Sequence, residues 1–258
     1  MKNFDKSLFL EKINNLELKK TISKFLDGLI AMEKSNKFVY CSNFFSPLEF
    51  LYVKKFLKNF DLKYEIIFPT DEYDRNIVIV SNEYFEINDF IEIITFKDDG
   101  FEHRHILGSI LNKGINREKI GDIIKFDGIW YVYCLKPIGT FIFSDGLKIG
   151  KKVVNINLLS NFLCPKNFKK FDDIKIIVSS LRLDCFIKEL AKTSRENSKK
   201  FIKHGNVKLN YDECIDADKK IFENDIISIR GVGKFKVSGC EGITKKEKYV
   251  INVKRYGI

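Results

Sequence analysis

The chain has 258 residues, 45% of them apolar and 14% aromatic, with a formal net charge of +10. That length favours two or three domains, and the apolar content is enough to build cores, which excludes wholesale disorder. No run reaches the roughly 18 uncharged apolar residues of a membrane span; the N-terminus mixes charges into its apolar positions, unlike a secretory leader; and six cysteines at 41, 134, 164, 185, 214 and 240 lack the close spacing of a zinc site or a disulfide scaffold. A soluble, cytoplasmic protein with no membrane partner, no metal and no cofactor is expected.

Leu8, Phe9, Ile13, Leu16, Ile22, Phe25, Leu26 and Leu29 recur at three- and four-residue intervals and predict helix. In "SNFFSPLEFLYVKKFLKNF", Ser46 suits an N-cap and Pro47 the first helical position. "YEIIFP" and "NIVIVS", divided by the polar "TDEYDR", predict strands. Residues 1–85 therefore form a small N-terminal α+β domain in this reading.

From 86 to 165 the order changes to β-α-β-β-α-β. "FIEIITF" is a strand and "HRHILGSILNKG" a helix stopped by Gly114. "KIGDIIKF" and "IWYVYCL" are strands joined by Asp127-Gly128, a dipeptide of tight hairpins. "PIGTFIFSDGLKIG" reads as either helix or extended hairpin, and "KVVNINLL" as a closing strand. This order predicts a central ferredoxin-like or RRM-like domain.

"CPKNFKKFDDIK", residues 164–175, reads as a polar linker to a third domain over 176–258. There "SSLRLDCFIKELA" and the stretch from Ser194 predict two helices, with strands in "GNVKLN", "NDIISIRG", "GKFKVSG" and "KYVINVKRY". The charge is concentrated here. Residues 166–258 hold 22 Lys+Arg against 13 Asp+Glu, whereas residues 1–165 hold 23 against 22. Lysine outnumbers arginine 38 to 7, as AT-rich coding would favour everywhere, but a global bias does not place the surplus in one third of the chain. That third is the candidate polyanion-binding part.

Arg182-Leu183-Asp184, Ser194-Arg195, Phe201-Ile202, Gly205, Val207-Lys208-Leu209-Asn210 and the stretch Asn224 to Gly231 occur in the order and spacing of the S4-type (αL-like) RNA-binding domain, which this segment resembles. Ser198 stands where that family commonly has Ala, and Tyr211 where most members have Gly. "HRHILGSILNKGINREKIGDI" and "SNFFSPLEF" are similar to segments of the YlmH-like family of bacterial S4-domain proteins, with His105 in place of the family Asp and Leu48 in place of the family Arg. The resemblance covers nearly the whole chain. It implies an α+β protein that binds ribosomal RNA on the large ribosomal subunit, with peptidyl-tRNA as a further partner, acting as a monomer in rescue or quality control of stalled translation without catalysis.

In a helix over 195–204, Arg195, Lys199 and Lys203 fall at four-residue spacing and form one row, which Lys192 extends backward. Such a row repels itself by a few tenths of a kcal/mol per pair, and phosphates reverse the sign. Arg182, Arg195, Lys199 and Lys203 are the leading RNA-binding residues. Ser194, Lys200, His204, Lys208 and Arg230 complete the set, with His204 also suited to capping the helix and Asp184 to local pairing. On the central domain, Lys113, Arg117 and Lys119 offer a second RNA surface, and Trp130, Tyr131 and Tyr133 invite base stacking, Tyr131 and Tyr133 on one face of their strand and Trp130 on the other. His103 and His105, two apart, do not share a helical face, so helix entry suits them better than metal. Two other functions have a concrete form. An RNA methyltransferase needs a Gly-rich strand-to-helix turn, and no G-x-G-x-x-G precedes residue 180; a pseudouridine synthase needs a larger catalytic domain. A tRNA-binding module acting off the ribosome is the third possibility.

Overall fold

The computed structural model describes residues 6–35, 39–58, 63–68, 73–166 and 171–256. The chain separates into two compact units, Met1–Phe168 and Lys169–Ile258.

In the first unit the opening periodicity is cut at residues 12–15, giving α1 (Lys6–Glu11) and α2 (Leu16–Lys34). Asn15 restarts the helix by accepting the Leu18 N–H at 3.0 Å, which satisfies an otherwise orphaned donor. α3 (Pro47–Leu57) opens on a reciprocal capping box between Ser46 and Glu49. Strands β1 (Val39–Cys41), β2 (Tyr64–Ile67) and β3 (Ile77–Ser81) form an antiparallel sheet in the order β1-β3-β2. The polar divider and the end of "YEIIFP" fall partly on residues 69–72, outside the described residues.

Next come β4 (Ile91–Lys97), α4 (His103–Leu111), β5 (Ile120–Phe126), β6 (Ile129–Leu135), α5 (Ile138–Asp145), β7 (Leu147–Ile149), β8 (Lys152–Val154) and β9 (Asn157–Leu158). The sheet order is β5-β6-β4-β9 with every neighbour antiparallel. β6 therefore lies between β4 and β5, which run parallel and are joined through α4, as a split βαβ requires. Asp127 and Gly128 have φ of 49° and 72°, the left-handed pair that lets a two-residue turn follow the strand twist. One closing strand was expected over 152–159, and there are two: β8 pairs with β7 in a separate ribbon, and β9 pairs with β4.

β3 is buried along its whole length because it has a core on each side. Val78 and Val80 pack with Phe25, Phe45 and Phe56 on and beside the helices α2 and α3. Ile77 and Ile79 pack with Ile91, Ile93, Tyr131 and Tyr133 of the four-stranded sheet. The other face of that sheet, including Ile94, Phe96, Trp130 and Val132, packs against Ile106 and Ile110 of α4 and Ile142 of α5. The domain boundary expected between 85 and 86 thus falls inside one unit, since the two segments share a core. A strand buried on both faces reads as a continuous apolar run, and "IVIV" is that signal.

The second unit holds β10 (Phe171–Val178), α6 (Leu183–Leu190), α7 (Arg195–Lys203), β11 (Val207–Leu209), β12 (Asp212–Glu213), β13 (Ile226–Ile229), β14 (Gly233–Ile243) and β15 (Tyr249–Tyr256). The sheet runs β10-β15-β14-β13-β11-β12. The expected linker of 164–175 ends early: from Phe171 the chain is strand, paired over its full length with β15. "FDDIK" looks polar because one face of β10 is not in the core, and its partner lies more than 70 residues downstream, beyond any local pattern. Residues 167–170 of that linker lie outside the described residues. Phe186, Ile187 and Ile202 from the helices pack with Ile227, Phe235 and Ile251 from the sheet in one core.

Candidate nucleic-acid interface

Local chemistry fixes α7 at both ends. The Ser194 hydroxyl accepts the Asn197 N–H at 3.1 Å as N-cap, so this member of the expected set acts first on the helix. At the other end His204 is the C-cap and Gly205 follows at φ 70°. Gly205 N–H donates to Ile202 O and Asn206 N–H to Phe201 O, both at 3.1 Å, the paired bonds that close a helix on a left-handed residue.

Between these caps Ser198 and Ile202 are buried and Arg195, Lys199, Lys200 and Lys203 are exposed. Ser198 satisfies its hydroxyl by donating to Arg195 O at 2.7 Å, which is how a polar residue is tolerated where the S4-type pattern has Ala. The row Arg195, Lys199, Lys203 lies along one edge of the helix. Its members differ in commitment. Lys200 pairs with Glu196 at 2.9 Å. Lys199, Lys203, Lys208 and Arg230 are exposed and form no ion pair among the described residues. Lys192, exposed at φ 48°, lies between the helices instead of continuing the row.

Arg182 and Arg195 converge on Asp184, whose side chain is 0% exposed. Arg182 donates to both carboxylate oxygens, at 3.1 and 3.0 Å, and Arg195 Nε donates to one at 3.3 Å. Burial alone would raise the Asp184 pKa, but the hydrogen bonds and charges of the two guanidiniums outweigh it and hold the carboxyl below its usual range. Arg182 is also paired with Asp218. A cavity of about 680 Å³ beside it is lined by Asp218, Lys220, Glu247 and Tyr249, so anionic groups already face this arginine. Arg182 holds the start of α6, whereas Arg195, 61% exposed, retains donors for an external partner.

The central sheet is different. Trp130, Tyr131 and Tyr133 are 6%, 9% and 0% exposed. Trp130 Nε1 donates to Asp98 at 2.8 Å, and Tyr133 donates to Leu163 O at 2.9 Å. The alternation expected from the sequence is present, but both faces are covered, so none of the three rings can stack on a base. Lys113, Arg117 and Lys119, expected to offer a second RNA surface, are partly buried and each bonded within the unit. Lys113 pairs with Asp145, and Lys119 donates to Asn43 Oδ1 at 2.9 Å. Arg117 donates to the carbonyls of Ile120 and Gly121, and burial followed by the charge of Arg75 pushes its pKa down to about 10. His103 is the first residue of α4, after the N-cap Glu102, and Arg104 pairs with Glu102 at 2.7 Å. Among the described residues no three His, Cys, Asp or Glu side chains are grouped to hold a metal, and no helix is long and apolar enough to cross a membrane.

A family model described as "Putative RNA-binding domain in YlmH" matches residues 82–161. The chain is 29% identical over 195 residues to "Ribosome-associated protein quality control protein P2" of Bacillus subtilis (strain 168), spanning 72% of this chain and 75% of that protein. It is 31% identical over 123 residues to "ATP-dependent RNA helicase DeaD" of Buchnera aphidicola subsp. Baizongia pistaciae (strain Bp), a match that covers 45% of this chain and 18% of the helicase. The solved structure of "Cell division protein ylmH from Streptococcus pneumoniae" is 19% identical and covers 57% of this chain and 93% of its own, at a TM-score of 0.46. The matched central segment and the Bacillus subtilis relative support the resemblance to the YlmH-like family.

Proposed function

We propose that the protein is a non-enzymatic RNA-binding factor that associates with the ribosome in rescue or quality control of stalled translation. In this reading residues 176–258 with β10 are an S4-type module that grips large-subunit ribosomal RNA, residues 86–165 are an RRM-like RNA-binding domain whose aromatic strand residues lie in its core, and tRNA on the ribosome is the further partner. The contacts are assigned to Arg195, Lys199 and Lys203 on α7, with Lys200, His204 and Arg230 around them and Arg182 and Ser194 holding the helix ends in place; Lys208, between the core-packed Val207 and Leu209, lies on the other face of the sheet. The protein acts as a monomer in the cytoplasm. The observation that carries the proposal is the capped α7, with an apolar side in the core and a row of exposed cations of which Lys199 and Lys203 have no ion pair among the described residues. The ribosome-associated relative and the RNA-binding family model support it.

Cosedimentation with large subunits tests the site. Lys199→Glu with Lys203→Glu spares the Asp184 pairs and should weaken binding by about 100-fold at moderate salt, since each lost phosphate contact also loses its counterion release. Unchanged cosedimentation of the folded double variant would sink the assignment. Modified nucleosides in RNA incubated with the purified protein would overturn the non-enzymatic reading.

A further inference from the structure

In the second unit one face of the six-stranded sheet is core, filled by Ile227, Ile229, Phe235, Val237, Ile251 and Val253 against α6 and α7. Alternation sends the residues between them to the opposite face. The register aligns Lys208 with Ser228 and Ser228 with Lys234 in one row, and Lys236 with Lys254 and Lys254 with Asp173 in the next. Lys236 and Lys254 are direct cross-strand neighbours, and Asp173 stands across from Lys254 on its other side. Lys234 is two residues along the same strand, about 7 Å away. Aromatic rings are interleaved with these lysines. Lys234 Nζ lies 4.5 Å from the Tyr256 ring centre and 4.9 Å from that of Tyr211, and Lys254 Nζ lies 5.8 Å from that of Phe171. Phe171 and Tyr256 meet edge to face with ring centres 5.0 Å apart.

We infer that this face is a second nucleic-acid surface, distinct from α7, and that it binds a single-stranded RNA segment. Lys208, Lys234, Lys236 and Lys254 meet phosphates, and Tyr211, Tyr256 and Phe171 offer rings to unpaired bases. Phosphates lying across this row meet Lys236 and Lys254 together. Ammonium groups already held over rings lose less freedom on binding. Cations interleaved with rings are the make-up of single-strand platforms, where backbone charge and base stacking add. A duplex, with its bases paired, has no use for the rings, and an acidic protein would need only the lysines. The choice of RNA rests on the proposed function, but the site does not depend on the α7 row.

The test is fluorescence anisotropy of the full chain with a labelled oligouridylate of about 12 nucleotides, a length within the range of single-strand sites. The wild type should bind with a salt slope of about −2.8 for four phosphate contacts. Lys236→Glu with Lys254→Glu should weaken binding at least about tenfold and bring the slope to about −1.4. Tyr256→Leu, which keeps apolar bulk without the ring, should weaken it about fivefold or more and leave the slope unchanged. Lys199→Glu with Lys203→Glu should leave oligouridylate affinity within about twofold while cosedimentation is lost. Unchanged affinity in the folded Lys236/Lys254 or Tyr256 variants would overturn the inference. So would polyglutamate or an RNA hairpin competing as well as the single strand. A wild type that cosediments with large subunits but ignores the oligonucleotide would remove this surface and leave the proposed function standing; loss of both would remove both.

Discussion

The four-stranded sheet of the first unit and the six-stranded sheet of the second both carry aromatic residues, and they place them differently. The four-stranded sheet of the first unit is covered on one side by α4 and α5 and on the other by the core it shares with β3, so Trp130, Tyr131 and Tyr133 are packing residues. The six-stranded sheet of the second unit has helices on one face, and Tyr211, Tyr256 and Phe171 lie with lysines away from that core. The cations follow the same division. Lys113, Arg117 and Lys119 are bonded within the first unit, whereas Lys199, Lys203 and Lys208 are exposed without ion pairs among the described residues. A basic or aromatic residue on a strand becomes a contact surface only where the opposite layer is absent.

The largest expected effect separates the units by binding. The Lys199 and Lys203 reversal should cost about 100-fold in large-subunit affinity, and the same reversal at Lys113 and Lys119 should cost much less per charge, measured side by side by cosedimentation. Equal losses would break the comparison.

Stability gives the next largest effect, in the other direction. Tyr133→Ala removes a fully buried ring and should destabilise the first unit by about 3–5 kcal/mol in chemical denaturation, while the α7-dependent RNA affinity of folded protein stays near wild type. A cost under about 1 kcal/mol would mean that the ring is not packed as described.

Asp184 sharpens the contrast within the second unit. Asp184→Asn should cost that unit about 2 kcal/mol, the scale of hydrogen bonds to a buried charge. The folded carboxyl titrates below its ordinary value, so its contribution is complete above about pH 4 and fades as pH falls through the lower folded pKa. Acid denaturation followed by circular dichroism should therefore be steeper in the wild type than in Asp184→Asn. The smallest expected effect is Ser194→Ala, about 1 kcal/mol in the same unit through loss of the N-cap.

Much of the fold was legible because it is local. The Ser46 N-cap and the Asp127-Gly128 hairpin each lie within a few residues of sequence and occur as expected, and the Glu49 half of the capping box and the Gly205 stop are equally local. The α7 row was legible too, since four-residue spacing alone puts Arg195, Lys199 and Lys203 on one edge of a helix. Less visible was which of those cations are committed. Arg182 and Arg195 are drawn to Asp184, and Arg117 to carbonyls three and four residues ahead; only the packed chain reveals these partners.

The sequence by itself determined most of the element types and the charge surplus of the C-terminal third, because propensity, caps and composition act over short distances. The tertiary structure decided the rest: that residues 1–85 and 86–165 share a core, that β10 is a strand, and which strand faces remain open. Those outcomes depend on pairing and layering between segments tens of residues apart, such as Phe171 with Tyr256 and Ile79 with Tyr133, and burial on a strand is set by what lies across from it.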